Sequence, residues 1–157
     1  MKAASLKDIK TSIETIPYIE LQSLCIRLLK FKKENKELIT YILFEENNEE
    51  LYIESVKNEI DAAFISLNKD SLYIAKKNIR KIIRIANRYI KYSSKNTTES
   101  NILIHVVYKI KESGLDLTKS QALNNIFLSI LKRINKSIST MHEDLQYDIQ
   151  KQLSAVI

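Results

Sequence analysis

The chain has 157 residues, 45% hydrophobic and 28% charged, with a formal net charge of +6, the balance of a soluble globular protein. Glycine and proline occur once each, Gly114 and Pro17, where average usage would give roughly ten and eight. That scarcity argues against strand-rich folds, whose tight turns need glycine or asparagine, and excludes phosphate loops and the nucleophile elbow, which need several glycines.

The length suits a single all-α domain over residues 1–157. The start, Met1 to Asp8, lacks the apolar core of a signal peptide, and the longest apolar run, Leu38 to Phe44, is broken by Thr40 and too short for a membrane span. The expectation is a soluble, cytoplasmic protein. The lone cysteine, Cys25, lies between Leu24 and Ile26 and is expected to be a small buried hydrophobe in a reducing compartment.

A first helix is predicted from about Ser5 to Ile16, with Ser5 and Asp8 as a capping pair and Pro17 as its stop. Pro17 also suits the first turn of a second helix carrying Leu21, Leu24, Cys25, Leu28, Leu29 and Phe31. The polar run Lys32 to Asn35 closes it, Asn35 caps a third from Lys36 to about Glu46, and Asn47-Asn48 begins a fourth from Glu49 to about Leu67. Ile53, Val56, Ile60, Ala63, Phe64 and Leu67 give that fourth helix its inward face.

Asp70 is read as the cap of a fifth helix lasting to about Tyr92, followed by the polar string Ser93 to Thr98 as the longest loop. A sixth helix, from about Glu99 to Ser113, is apolar nearly all round at Ile102 to Val107, which implies a central position, and Gly114 stops it. Thr118 with Gln121 opens a seventh helix striped by Leu123, Ile126, Phe127, Ile130, Leu131, Ile134 and Ile138. Thr140 with Glu143 opens an eighth carrying Met141, Leu145, Ile149 and Leu153.

Eight helices with short connections pair as antiparallel hairpins, the spacing of a right-handed α-α superhelix of the HEAT or armadillo type; a compact orthogonal bundle is the alternative. The stretch Leu24-Cys25-Ile26-Arg27-Leu28-Leu29-Lys30-Phe31-Lys32-Lys33-Glu34-Asn35-Lys36-Glu37-Leu38-Ile39-Thr40-Tyr41 resembles a run in a group of small uncharacterised helical bacterial proteins. The resemblance covers a small part of the chain and implies an all-helical fold, with no activity to carry over.

Helical bundles host di-iron sites through Glu-x-x-His pairs, but the residues three before His105 and His142 are Ile102 and Ser139. His142-Glu143-Asp144-Leu145-Gln146 misses the second histidine of a zinc-protease helix. His105 reads as a satisfied core residue and His142 as a surface one. Glu49-Glu50 reads as acids favoured at a helix start. No catalytic residue, metal or cofactor is assigned, and the expectation is a protein that is not an enzyme.

The departure from generic chemistry lies between Ser71 and Lys95, which hold Lys76, Lys77, Arg80, Lys81, Arg84, Arg88, Lys91 and Lys95 and no acid. These eight cations exceed the whole net charge. At about 100° per residue the apolar Leu72, Ala75, Ile79, Ile82, Ile83, Ala86 and Ile90 form one band, and the cations, joined by Tyr73, lie outside it. Like charges three and four residues apart repel unless something negative is near. One source is internal: the acids of Glu45 to Asp61, with Asp61 level with Lys76 and Lys77, and Glu54 and Glu50 level with Arg84 and Arg88, in a hairpin turning near Lys69. The other is external, an acidic protein surface or, alternatively, a nucleic acid bound without sequence preference. The candidate partner-binding residues are Tyr73, Lys77, Arg80, Lys81, Arg84, Arg88, Lys91 and Lys95, the last extending the contact from a flexible loop.

Overall fold

The computed structural model describes residues 2–68 and 71–157; Met1, Lys69 and Asp70 lie outside them. The described residues are all-α, with eight α-helices and no strand, as the poverty in glycine and proline requires. The chain divides into two compact units, Met1–Phe44 and Glu45–Ile157.

The first unit holds α1 (Leu6–Thr15), α2 (Tyr18–Phe31) and α3 (Lys33–Thr40); α3 continues into a wider π-turn at Tyr41–Glu45, whose last residue is the first of the second unit. Ser5 caps α1 as expected: its Oγ accepts the Asp8 N–H at 3.2 Å and donates to Asp8 Oδ2 at 2.7 Å. Asn35 does not cap α3. It sits inside the helix and its Nδ2 donates to the Leu28 carbonyl at 2.7 Å, so the break between α2 and α3 shrinks to Lys32. No side chain of α1, α2 or α3 is buried. Cys25 is exposed, correcting the buried reading, because few side chains pack over α2.

The second unit holds α4 (Glu49–Ile65), α5 (Leu72–Ser93), α6 (Asn96–Glu112), α7 (Gln121–Ile138) and α8 (Glu143–Val156), with a 3-10 turn at Leu117–Lys119. Helix α6 is the central member, packed by α4, α5, α7 and α8. Its Ile102, Leu103, Val106 and Val107 are fully buried, each such side chain contributing roughly 1.5–3 kcal/mol of transfer free energy. They meet Val56 and Ile60 of α4, Ala75, Ile79, Ile82 and Ala86 of α5, Leu123, Ile130 and Ile134 of α7, and Ile149 and Leu153 of α8 as one core of buried side chains. Gly114, at φ 70°, turns the chain after α6 in a left-handed conformation that suits glycine.

Several helix starts differ from expectation in their capping residue. Helix α5 is capped by Ser71, whose Oγ accepts the Ile74 N–H at 3.2 Å; the expected cap Asp70 lies outside the described residues. Ser120, not Thr118, caps α7, since Thr118 closes a turn on Asp116. Thr140 does not cap α8: its hydroxyl donates to the Ser137 carbonyl and accepts from Asn96 Nδ2, both at 2.7 Å, leaving His142 at the cap position. The expected loop Ser93–Thr98 is not a loop. Helix α5 runs to Ser93, Ser94 reverses the chain at φ 56°, and α6 begins at Asn96, with Thr98 and Ser100 fully buried.

Candidate functional site

Helix α5 is amphipathic by construction. Ala75, Ile79, Ile82, Ala86 and Ile90 recur at helical spacing and are buried, so the intervening cations are carried outward. Lys77, Arg80, Lys81, Arg84 and Lys91 are exposed, and among the described residues none of them lies within 4 Å of a carboxylate. Tyr73 is exposed at the start of the same face, and the Lys76 ammonium lies 5.4 Å from its ring centroid. Arg84 Nε turns back to the Arg80 carbonyl at 3.3 Å.

The expected pairing with the acids of α4 is corrected by the register. Asp61 faces α6 instead, 2.6 Å from His105 Nε2 and 3.8 Å from Lys109 Nζ, and Glu54 bonds Lys57 of its own helix at 2.8 Å. The acids that do reach α5 are Glu59, 3.7 Å from Arg88 Nη2, and Glu49, 2.7 Å from Lys95 Nζ. They meet cations nine and six residues, about two turns, further along the chain than a simple hairpin turning near Lys69 would place them. The candidate residues therefore divide. Arg88 and Lys95 hold α5 to α4, whereas Tyr73, Lys77, Arg80, Lys81, Arg84 and Lys91 face outward.

Around Arg88 the packing is polar and tight. Its guanidinium covers the Tyr89 ring at 5.0 Å, and the Tyr89 hydroxyl donates to Glu59 Oε2 at 2.5 Å. Burial, and then the bond to the Glu59 carboxylate, push the Tyr89 phenol up to about 12, with Arg88 pulling the other way. Lys95 is equally fixed. Glu49 accepts from Ser93 Oγ at 2.5 Å and from Thr98 Oγ1, while Lys95 closes on its other oxygen. That carboxylate replaces the expected flexible loop with a two-residue link.

Two further features lie outside the sequence expectation. Arg133 of α7 donates to Asn87 Oδ1 of α5 at 2.7 Å and to Glu99 Oε1 of α6 at 2.6 Å, which brings α7 beside the basic face. Next to it an open cleft of about 340 Å³ is lined by Asn96, Glu99, Arg133, Lys136, Ser137 and Thr140. A second groove, about 300 Å³, carries His105, Tyr108 and Lys57 between α4, α6 and α8. His105 is satisfied by Asp61, as expected, but it is half-buried at this groove rather than in the core. Among the described residues no cluster of His, Cys, Asp or Glu is arranged to hold a metal ion, and no helix is long and apolar enough to cross a membrane. Nothing in the spacing of α7 signals the Arg133 link; only the fold brings it 46 residues from Asn87 into contact.

Comparison of the chain with protein-family models, curated proteins and solved structures finds no match.

Proposed function

We propose that the chain is a non-enzymatic interaction module that captures an acidic partner through the outward face of α5. The observation that carries this reading is the set Lys77, Arg80, Lys81, Arg84 and Lys91, exposed and without a carboxylate among the described residues. A helix keeping five cations on one face sustains like-charge repulsion at three- and four-residue spacings, which a polyanion in contact with it relieves. The reading takes α4 to α8 as a short right-handed stack of helical hairpins, a scaffold whose function resides in its surface, in the cytoplasm.

The test is capture of two labelled polyanions, poly-L-glutamate and an oligonucleotide, measured by fluorescence anisotropy at low ionic strength. Wild type should bind at least one of them, and the double variant Arg80→Glu, Arg84→Glu should lose binding while keeping its helical circular dichroism. Failure of wild type to bind either, or equal binding by the double variant, overturns the reading.

A further inference from the structure

We infer that the acidic partner is a nucleic acid, its phosphodiester backbone running along α5 from Lys77 to Lys91 and on to Lys136 at the cleft between α6 and α7. This rests on the reading of α5 as the capture surface and names what that surface takes.

Three observations separate nucleic acid from an acidic protein. The first is what the face lacks. Protein interfaces centre on apolar or aromatic anchors, with charge at the rim. Between Lys77 and Lys91 the exposed large side chains of α5 are all cationic; the only exposed large hydrophobics of this helix are Leu72 and Tyr73, at its first turn. Charge at the centre and no apolar core is the composition of a nucleic-acid interface.

The second is length. Lys77 to Lys91 spans about 21 Å at 1.5 Å per residue, enough to meet several successive phosphates of one strand. Tyr73 stands at the near end, 70% exposed, with a ring face on which a base can stack.

The third is continuity beyond α5. Arg80, Arg84, Asn87 and Lys91 share one helical stripe, being separated by four, three and four residues. Asn87 holds Arg133 of α7, and Lys136 lies one turn further along α7, lining the cleft with Asn96 and Thr140. Glu99 neutralises Arg133 at 2.6 Å, so the attraction at the cleft belongs to Lys136, which is exposed and has no carboxylate within 4 Å among the described residues. The positive track thus passes from α5 to α7, two helices that both pack on α6.

The experiment measures anisotropy of labelled oligothymidylate, a labelled duplex and labelled poly-L-glutamate with the full chain over a salt series. At least one oligonucleotide should bind more tightly than poly-L-glutamate, with affinity falling on the order of 100-fold between about 50 and 200 mM salt, as about four released counterions require. Lys91→Ala and Lys136→Ala should each weaken binding several-fold and reduce the salt slope by about 1. Lys151→Ala on α8 removes the same charge elsewhere and should leave both unchanged. Poly-L-glutamate bound while both oligonucleotides are refused would overturn the inference and leave the α5 capture surface standing. Lys136→Ala behaving like Lys151→Ala would overturn the track into the cleft. Refusal of all three polyanions would take the proposed function with it.

Discussion

Lys95 and Glu49 close the far end of the α4–α5 pair, the ammonium lying 2.7 Å from Glu49 Oε2 while the other carboxylate oxygen accepts from Ser93 and Thr98. One carboxylate on the first turn of α4 thereby ties down the end of α5 and the start of α6.

The carboxylate should be a stability determinant out of proportion to its position. Glu49→Gln keeps the oxygen that accepts from both hydroxyls but turns an amide N–H₂ toward the Lys95 ammonium, donor against donor. The expected cost is about 2 kcal/mol, since a partly buried charge loses its partner. The neighbouring Glu50→Gln, on the exposed side of the same turn, should change stability by less than about 0.5 kcal/mol. Urea denaturation midpoints of the two variants decide it; equal midpoints would show that Glu49 holds nothing.

Tyr89 predicts an alkaline transition. Burial and the Glu59 carboxylate raise its phenol to about 12, above the ordinary value of 10. The neutral phenol is therefore the form that folding favours. Its contribution is complete below pH 10 and is lost as pH rises from 10 through 12. An ultraviolet titration should contain a late phenolate step that Tyr89→Phe removes. Glu59→Gln should move that step to lower pH without returning it fully to 10, because the larger cause, burial, remains. A step unmoved in Glu59→Gln would contradict the assignment of Glu59 as partner.

The α6–α7 contact makes opposite predictions for two serines. Ser137 Oγ donates to the Asn96 carbonyl at 2.9 Å, the acceptor one turn before Ser100 that a helical serine ordinarily uses. Ser100 Oγ is fully buried and has no hydrogen-bond partner among the described residues. Ser100→Ala should therefore stabilise the protein by up to about 1 kcal/mol by removing an unsatisfied hydroxyl, and Ser137→Ala should cost about 1 kcal/mol by removing a made bond. Thermal midpoints that shift in the same direction for both would refute this division.

The helices themselves were legible because apolar spacing and the lack of breakers are local properties. The inward faces of α5 and α6 lie where periodicity puts them. The errors fall where a distant group decides. Ser93 to Thr98 looks like a loop because it is polar, yet its Ser93 and Thr98 side chains are buried against a carboxylate up to 49 residues away. Thr140 matches a capping box, but Asn96 and the Ser137 carbonyl occupy its hydroxyl. Cys25 has apolar neighbours on both sides and is still exposed, because sequence neighbours do not determine what packs above a helix. The candidate site was legible as a stripe of cations. Which of them α4 neutralises depends on a helix register that no local pattern encodes, and so does the link from Asn87 to Arg133.

If the outward cations of α5 serve binding rather than folding, removing them should not harm the fold. Arg80 and Arg84 are four residues apart on an exposed face, with Lys77 before them, Lys81 between them and no described carboxylate within 4 Å. Each like-charge pair at this spacing costs a few tenths of a kcal/mol at low salt. Arg84→Glu converts repulsion with Arg80 and Lys81 into attraction, and should raise stability by roughly 0.3–1 kcal/mol at low ionic strength. The gain should shrink in about 1 M salt, where the screening length falls to about 3 Å. Arg88→Glu is the contrast: its cation faces Glu59 and Tyr89, so reversal should destabilise at both salt concentrations. Chemical denaturation of the two variants at low and high salt separates the roles. A destabilised Arg84→Glu would mean that the outward stripe helps hold the fold and would remove the reason to assign it to a partner.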